Sequence, residues 1–491
     1  MAKRTAIIDI GSNSVRMVVF EKSSRFAFSL LHESKSRVRI SEGAYANEGN
    51  LQPAAVERAM KALGEFLSIA QAYGTRKLLC VATSAVRDAP NRSVFLKRAR
   101  DEFGLNIKVI DGEKEAYLGA VACANLLPRM KARTIDIGGG STECACIEDG
   151  TVSKSASIDL GTVRLKELFF DLGDLSGATA YVDAQLAALP AQREPVVVGI
   201  GGTFRALAQI IQKAQRHPVK KLHGYTFDAK ELIVLGEKIL AAPDNNALKK
   251  LGVKKERYDV IRPGTLILMR FVRHVGCKTL VTSGTGVREG LYLTDLLRHS
   301  NHRFPEGYNP SLRYLLDRHT IETKFSNQLA TVALKLFDLL QGRFALPAET
   351  RRLLKIAAQL AKVGASVHFY SYHKNSQNLV ESALQYGYTH EEIMTVAALV
   401  RYHKSRKVAK EYFECYGVLL PKPKILNRLN LLLALADALL AHRPRNIDFD
   451  LSLDNEGALV VHSGKEKQGF YLAKEQLESL GIGKMLSVRF S

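Results

Sequence analysis

Tryptophan is absent from the 491 residues, and no basic motif interleaved with aromatics stands out. Without such a base-stacking platform, neither DNA nor RNA is expected as a partner. Long hydrophobic runs are also missing: nothing approaches the ~18 to 20 uninterrupted apolar residues of a membrane span. The most apolar segment, Leu429–Ala441, is broken by Asn430 and Asp437 and reads as a buried helix. The opening MAKRTAIIDIGS enters a strand-and-turn pattern directly, with no signal-peptide core, so a cytoplasmic protein with no membrane attachment is expected. Six cysteines (Cys80, Cys123, Cys144, Cys146, Cys277 and Cys415) are too few for a disulfide framework in so long a chain. Cys144 and Cys146 stand two apart on a predicted strand and lack zinc spacing, so all six are expected as reduced, core-packed thiols.

What is abundant is positive charge. Lys and Arg number 70 against 49 Asp and Glu, a formal +21 that attracts polyanions of several kinds without choosing among them. The excess is spread along the chain, +14 before Pro305 and +7 from it onward. Local clusters at Lys213–Lys221, Lys249–Arg257 and Arg401–Lys410 each read as solvated faces. At ~150 residues per domain the length suggests about three domains.

The first half has a repeating grammar. A short apolar run, Thr5–Asp9, ends in the turn Asp9-Ile10-Gly11-Ser12-Asn13-Ser14 and is followed by a second strand, Val15–Glu21. A helix over Pro53–Tyr73, a strand Lys77–Thr83, a helix Arg92–Phe103, a strand Ile107–Ile110 and a helix Gly112–Asn125 come next, an α/β alternation. Then the pattern restarts: Thr134–Asp136 leads into Asp136-Ile137-Gly138-Gly139-Gly140-Ser141-Thr142-Glu143 and the strand Cys144–Ile147. Asp9-Ile10-Gly11 and Asp136-Ile137-Gly138 are the same word 127 residues apart, which predicts two related lobes. Two further glycine turns, Val196–Thr203 and Val281–Gly290, each leave a strand and enter a helix, the first at Phe204.

These turns carry the chemistry. Glycine lets backbone N–H groups approach a phosphate closely, and Ser and Thr hydroxyls add donors. An acid at each strand end repels a bare phosphate, so its presence implies a cation between them, Mg²⁺ being the natural choice. One such turn is an ordinary hairpin device. Two facing copies plus Gly201-Gly202-Thr203 read as a phosphate clamp.

The phrases IIDIGSNSVRMVV, VATSAVRDAPN, IDGEKEAYLGA, TIDIGGGSTE, VGIGGTFRA and SGTGVREGLY resemble, in that order, the exopolyphosphatase/guanosine pentaphosphatase family of the actin, Hsp70 and sugar-kinase superfamily. The resemblance implies a two-lobed actin-like (ribonuclease H-like) α/β fold, with lobes over 1–125 and 126–304. An all-α module over 305–442, related to His-Asp metal phosphohydrolases, and a small α+β appendix over 443–491 would follow. Carried over by position, Glu115 becomes the base that orients and deprotonates water. Asp136 and Glu143 match acids near metal and nucleophile, and Asp9 the first-lobe acid, so Asp9, Asp136 and Glu143 are the metal candidates. Ser12, Asn13, Gly138, Gly139, Gly140 and Ser141 match the phosphate-holding turns, and Arg87 a phosphate-facing arginine. Read locally, Glu115 could serve only the helix dipole, and Arg87 only as an ion-pair partner of Asp88.

In the helical module the family's metal doublet position reads Ala361-Lys362, and only Asp437 of its ligand set survives. No metal site is expected there. His373, Lys374, Arg401, His403, Lys404 and Arg406 instead suggest a basic track for a polyanion. The resemblance points to hydrolysis of the terminal phosphoanhydride of inorganic polyphosphate with Mg²⁺, in a homodimer. Guanosine pentaphosphate is the alternative substrate, with guanosine tetraphosphate a related ligand. An actin-like ATPase or kinase, for which Glu115 would be dispensable, and a non-catalytic sensor of polyphosphate or nucleotide are rivals of other classes.

Overall fold

The apolar run ahead of the first glycine turn becomes the middle of a sheet. β1 (Lys3–Ile10) buries Ala6, Ile7, Ile8 and Ile10 completely, as a strand covered on both faces must. It pairs antiparallel with β2 (Val15–Lys22), which pairs antiparallel with β3 (Phe28–Ser36). On the other side it pairs parallel with β4 (Lys77–Ala82), and β4 with the short β5 (Lys108–Val109). The order is β3-β2-β1-β4-β5. The computed structural model describes residues 3–44, 47–189, 193–405, 407–464 and 470–491, and the chain divides into two compact units between Tyr308 and Asn309.

The second sheet repeats the first. It comprises β6 (Ala132–Ile137), β7 (Thr142–Glu148), β8 (Thr151–Ile158), β9 (Val196–Ile200), β10 (Thr226–Asp228) and β11 (Thr279–Thr282). The series β8-β7-β6-β9-β11 matches the first sheet strand for strand, two antiparallel pairings then two parallel, with β10 added at the edge. This duplicated order is the actin-like, two-lobed α/β fold. β3 and β8 had no apolar run to announce them. Both mix half-buried with exposed residues, as outer strands of a sheet do.

Helices then cover the sheets, and two of them cross between them. The helix Gly112–Leu126, last in the first lobe by chain order, packs on β6, β7 and β8. Ala120, Cys123 and Ala124 join Ala145, Ile147 and Ile200 of the second sheet in one cluster. Conversely Val287–Leu296, from the end of the second lobe, packs on that helix and on β1, and its Tyr292 ring stacks on Phe20 of β2 at 4.5 Å. The lobes therefore separate along the chain near residue 126 but not in packing. The helix expected to begin at Phe204 begins at Gly201 and runs to Ala214, so Gly201, Gly202 and Thr203 form its first turn rather than a loop.

In the second unit seven helices, Pro310–His319, Thr323–Phe344, Thr350–Leu360, Tyr372–Ala383, His390–Tyr402, Lys410–Tyr416 and Pro423–Leu439, build a bundle. Pro423–Leu439 is its axis: Leu426, Leu429, Leu431, Leu432, Leu433 and Leu435 are wholly buried. A sheet of β12 (Phe449–Leu453), β13 (Leu459–Ser463) and β14 (Val488–Phe490), with the helix Tyr471–Leu480, packs in the same unit. Among the described residues no helix is long and apolar enough to cross a membrane, and all six cysteines are free thiols.

Candidate functional site

The two Asp-Ile-Gly words fold into the same device. Gly11 N–H donates to the Ser14 carbonyl at 3.2 Å, and Gly138 N–H to the Ser141 carbonyl at 2.9 Å. The turn carbonyls are engaged in turn: Ser12 O accepts from Ser41 N–H, and Gly138 O and Gly139 O accept from Thr162 and Val163 N–H at 2.9 and 2.8 Å. So braced, the turns can offer N–H groups to an anion with little reorganisation. They also touch. A Cβ on Gly139 would lie 2.6 Å from Ser12 Cβ, so only glycine admits this approach.

Between the turns lies a cleft of about 970 Å³. Its walls include Asp9, Ser12, Asn13, Glu115, Asp136, Gly138, Gly139, Glu143, Gly201, Gly202 and Thr203. Residues from four separate stretches of sequence thus converge, as the shared grammar predicted. Gly140, Ser141 and Arg87 stand one layer behind. The Gly140 carbonyl accepts from Arg164 Nε at 2.9 Å, and buried Ser141 bonds through its hydroxyl to Glu143. Arg87 places Nη1 3.3 Å from Glu115 Oε2 while Nε bonds Asp88 at 3.1 Å. It is the Asp88 partner that the sequence allowed and stands beside the candidate base, while the phosphate-facing place that the resemblance gave it is not among the cleft-lining residues.

The acids are held in an uncomfortable state. Desolvation, opposed by the Ser141 hydroxyl and reinforced by Asp136, pushes Glu143 up to about 7. Desolvation likewise lifts Asp136 to about 6 against the pull of Arg205, and raises Asp9 against Arg288 and Arg16. Glu115 is raised well above the ordinary carboxylate range, first by desolvation and then by Glu143 and Asp9, with Arg87 opposing. Carboxylates so crowded suit a hard divalent cation, since oxygen donors of this kind are what Mg²⁺ takes. Among the described residues no three His, Cys, Asp or Glu side chains form a ready-made cage. The three acids expected to share a metal, Asp9, Asp136 and Glu143, therefore do not converge as one ligand set, but Mg²⁺ commonly binds through one or two carboxylates and completes its shell with water and phosphate, so a pair of them fits it.

Five cations lining the cleft escaped sequence reading: Arg16, Lys35, Arg205, Arg257 and Arg288. Arg205 Nε holds the Gly201 carbonyl at 2.9 Å and Nη1 the Gly284 carbonyl at 3.0 Å, tying two glycine segments together. Arg288 Nη1 bonds Glu33 at 3.0 Å. Arg16, Arg205 and Arg288 each follow a glycine turn within five residues, a signal that could have been used. Arg257 closes the Lys249–Arg257 cluster, which is therefore not a purely solvated face. Desolvation, with Arg16 and Arg257 nearby, lowers Lys35 to about 8.

The basic track proposed for the helical unit needs correction. His403 is wholly buried: Nδ1 donates to the Val400 carbonyl at 2.8 Å and Nε2 lies 3.1 Å from the Tyr372 hydroxyl. A side chain with both nitrogens so engaged cannot meet a polyanion. Arg406 lies outside the described residues. His373, Lys374, Arg401 and Lys404 do stand together, close enough that the three cations, after burial, lower His373. At the place of the lost doublet, Lys362 Nζ sits 2.7 Å from Asp437 Oδ1, an ammonium facing the one surviving carboxylate.

Fold and cleft together define an actin-like, two-lobed protein whose cleft is lined by glycine turns, acids and cations. Residues 18–299 match the Ppx/GppA phosphatase family and residues 309–476 match its domain III, so the chain belongs to the Ppx/GppA phosphatase family. It is 25% identical over 430 residues to a guanosine-5'-triphosphate,3'-diphosphate pyrophosphatase of Pseudoalteromonas translucida, covering 84% of this chain and 82% of that protein. The first unit resembles the crystal structure of the Aquifex aeolicus Ppx/GppA family member, with 26% identity and a TM-score of 0.53 over 61% of this chain and 99% of that one. In fold it also resembles an exopolyphosphatase from Cytophaga hutchinsonii, with 23% identity and a TM-score of 0.55 over 60% of this chain and 98% of that one.

Proposed function

We propose that the protein is an exopolyphosphatase that hydrolyses the terminal phosphoanhydride bond of inorganic polyphosphate. Water attacks the end phosphorus, the bridging P–O bond breaks, and orthophosphate leaves a chain one unit shorter. Glu115 orients the water and takes its proton. Its raised affinity for protons suits a base working near neutrality, and Arg87 at 3.3 Å favours the ionised form it needs. One or two of Asp9, Asp136 and Glu143 would hold Mg²⁺, which when bound would neutralise developing charge on the transferred phosphoryl group. The turns at Gly11 and Gly138 and the helix start at Gly201 supply donors to the same group.

The observation that carries the choice of substrate is the cleft wall. It has five cations, and none of its lining residues is aromatic, so it favours a bare phosphate chain over one ending in a base. The second reading, hydrolysis of guanosine pentaphosphate, draws support from the similarity to the Pseudoalteromonas protein. Phosphate release from long polyphosphate and from guanosine pentaphosphate, each with Mg²⁺ or EDTA, separates the two. Polyphosphate as the faster, metal-dependent substrate upholds the first reading. Preference for the nucleotide replaces it with the second, and release from neither overturns both.

A further inference from the structure

A second cavity, of about 720 Å³, lies within the helical unit and shares no residue with the cleft. Its interior combines cations with rings. Arg443 sits 3.6 Å and Lys362 4.4 Å over the Phe325 ring, and Lys404 5.1 Å over Tyr372. Two of these charges are already matched, Lys362 by Asp437 at 2.7 Å and Arg443 by Glu322 at 3.0 Å. Lys404 is in no ion pair among the described residues, and Lys374 and Arg401 stand nearby. The cavity is thus left with surplus positive charge at Lys404. The buried Thr320 hydroxyl in its wall has no hydrogen-bond partner.

The rim has the opposite character. Phe369 is 71% exposed and Ile321 65%, and Tyr370, 77% exposed, meets Phe369 edge to face at 5.7 Å. Rings left open beside a cationic hollow ask for a ligand with both a flat apolar part and an anionic part. A bare phosphate chain would leave the rings unused, and an apolar ligand would make no use of the exposed Lys404 ammonium at the cavity edge.

The geometry points to a nucleotide as the occupant, its base against Phe369 and its phosphate on Lys404. Nucleoside monophosphates contain no phosphoanhydride bond, so they probe this site without being substrates of the proposed hydrolysis. Phe369→Trp gives the full chain its only tryptophan, and quenching of its fluorescence reads occupancy.

Adenosine or guanosine monophosphate is expected to quench saturably, while inorganic phosphate and the uncharged nucleosides are at least tenfold weaker. Calorimetry with the otherwise unaltered chain should give the same ranking. Lys404→Glu should weaken the nucleotide at least tenfold, and Lys404→Met, with urea midpoint unchanged, should do so in part. The proposal fails if no nucleotide binds, if the Lys404 variants bind as wild type, or if phosphate alone binds as well as the nucleotide. It also fails if the chain instead self-associates through this rim, with association lost in Phe369→Ala and no nucleotide bound.

Discussion

Glu115 illustrates how much a single carboxylate depends on its surroundings. On the first turn of its helix it could do no more than favour the helix dipole, yet it stands among Glu143, Asp9 and Asp136 at the cleft. Glu115→Gln keeps shape and removes the proton acceptor, so phosphate release should fall by ~10²- to 10⁴-fold with substrate binding retained. Steady-state rates alongside equilibrium binding of polyphosphate check this; a rate within threefold of wild type removes Glu115 from the role. His403 offers a different test. Burial lowers it to about 4, against 6.5 when unfolded, so between these values the unfolded chain binds a proton that the folded one refuses. Stability should therefore fall as pH drops from about 6.5 to about 4, by up to ~3 kcal/mol, and His403→Gln should lose that slope. Urea midpoints of the two proteins at pH 7 and pH 5 measure it.

At the scale of elements, local pattern was a sound guide wherever one strand or one turn decides the matter. The twin words Asp9-Ile10-Gly11 and Asp136-Ile137-Gly138 announced the duplicated sheet, and the helix Pro53–Ala72 matched its predicted span within a residue. β3 and β8 were invisible because half of each faces solvent and carries no apolar run. Lys35 reaches the cleft from a segment with no sequence mark of its own, and Arg257 from a basic cluster that read as a solvated face, since what brings them there is packing. Burial of His403 was hidden for the same reason. The helix start at Gly201 gives the sharpest element-level prediction. Gly201 has φ of +79°, and a Cβ there would collide with Asp136. Gly201→Ala should cost at least ~1 kcal/mol of stability from backbone strain and overlap, and most of the activity. Denaturant unfolding together with phosphate release tests both; a variant of wild-type stability would contradict the geometry.

For the whole molecule, charge should govern how substrate arrives more than how it reacts. A surplus of +21 spread along the chain, with Arg16, Lys35 and Arg257 at the cleft, draws polyanions from a distance and is screened by salt. Arg257→Glu should raise KM for long polyphosphate by ~10-fold at low salt, leave kcat little changed, and flatten the dependence of KM on ionic strength. Kinetics at several salt concentrations decide the point, and an unaltered KM would place substrate capture elsewhere.

The exchange of helices between the two sheets has a consequence for how the protein is made. A ribosome delivers β1 and β2 first, but Tyr292, which stacks on Phe20, arrives some 270 residues later. Until then the nascent first sheet has a gap in its cover, and the helix carrying Glu115 waits for a second sheet still to be synthesised. The cleft can close only once residue 296 has left the exit tunnel. Premature termination anywhere before that point yields an unfinished and sticky polypeptide, never a half-working enzyme.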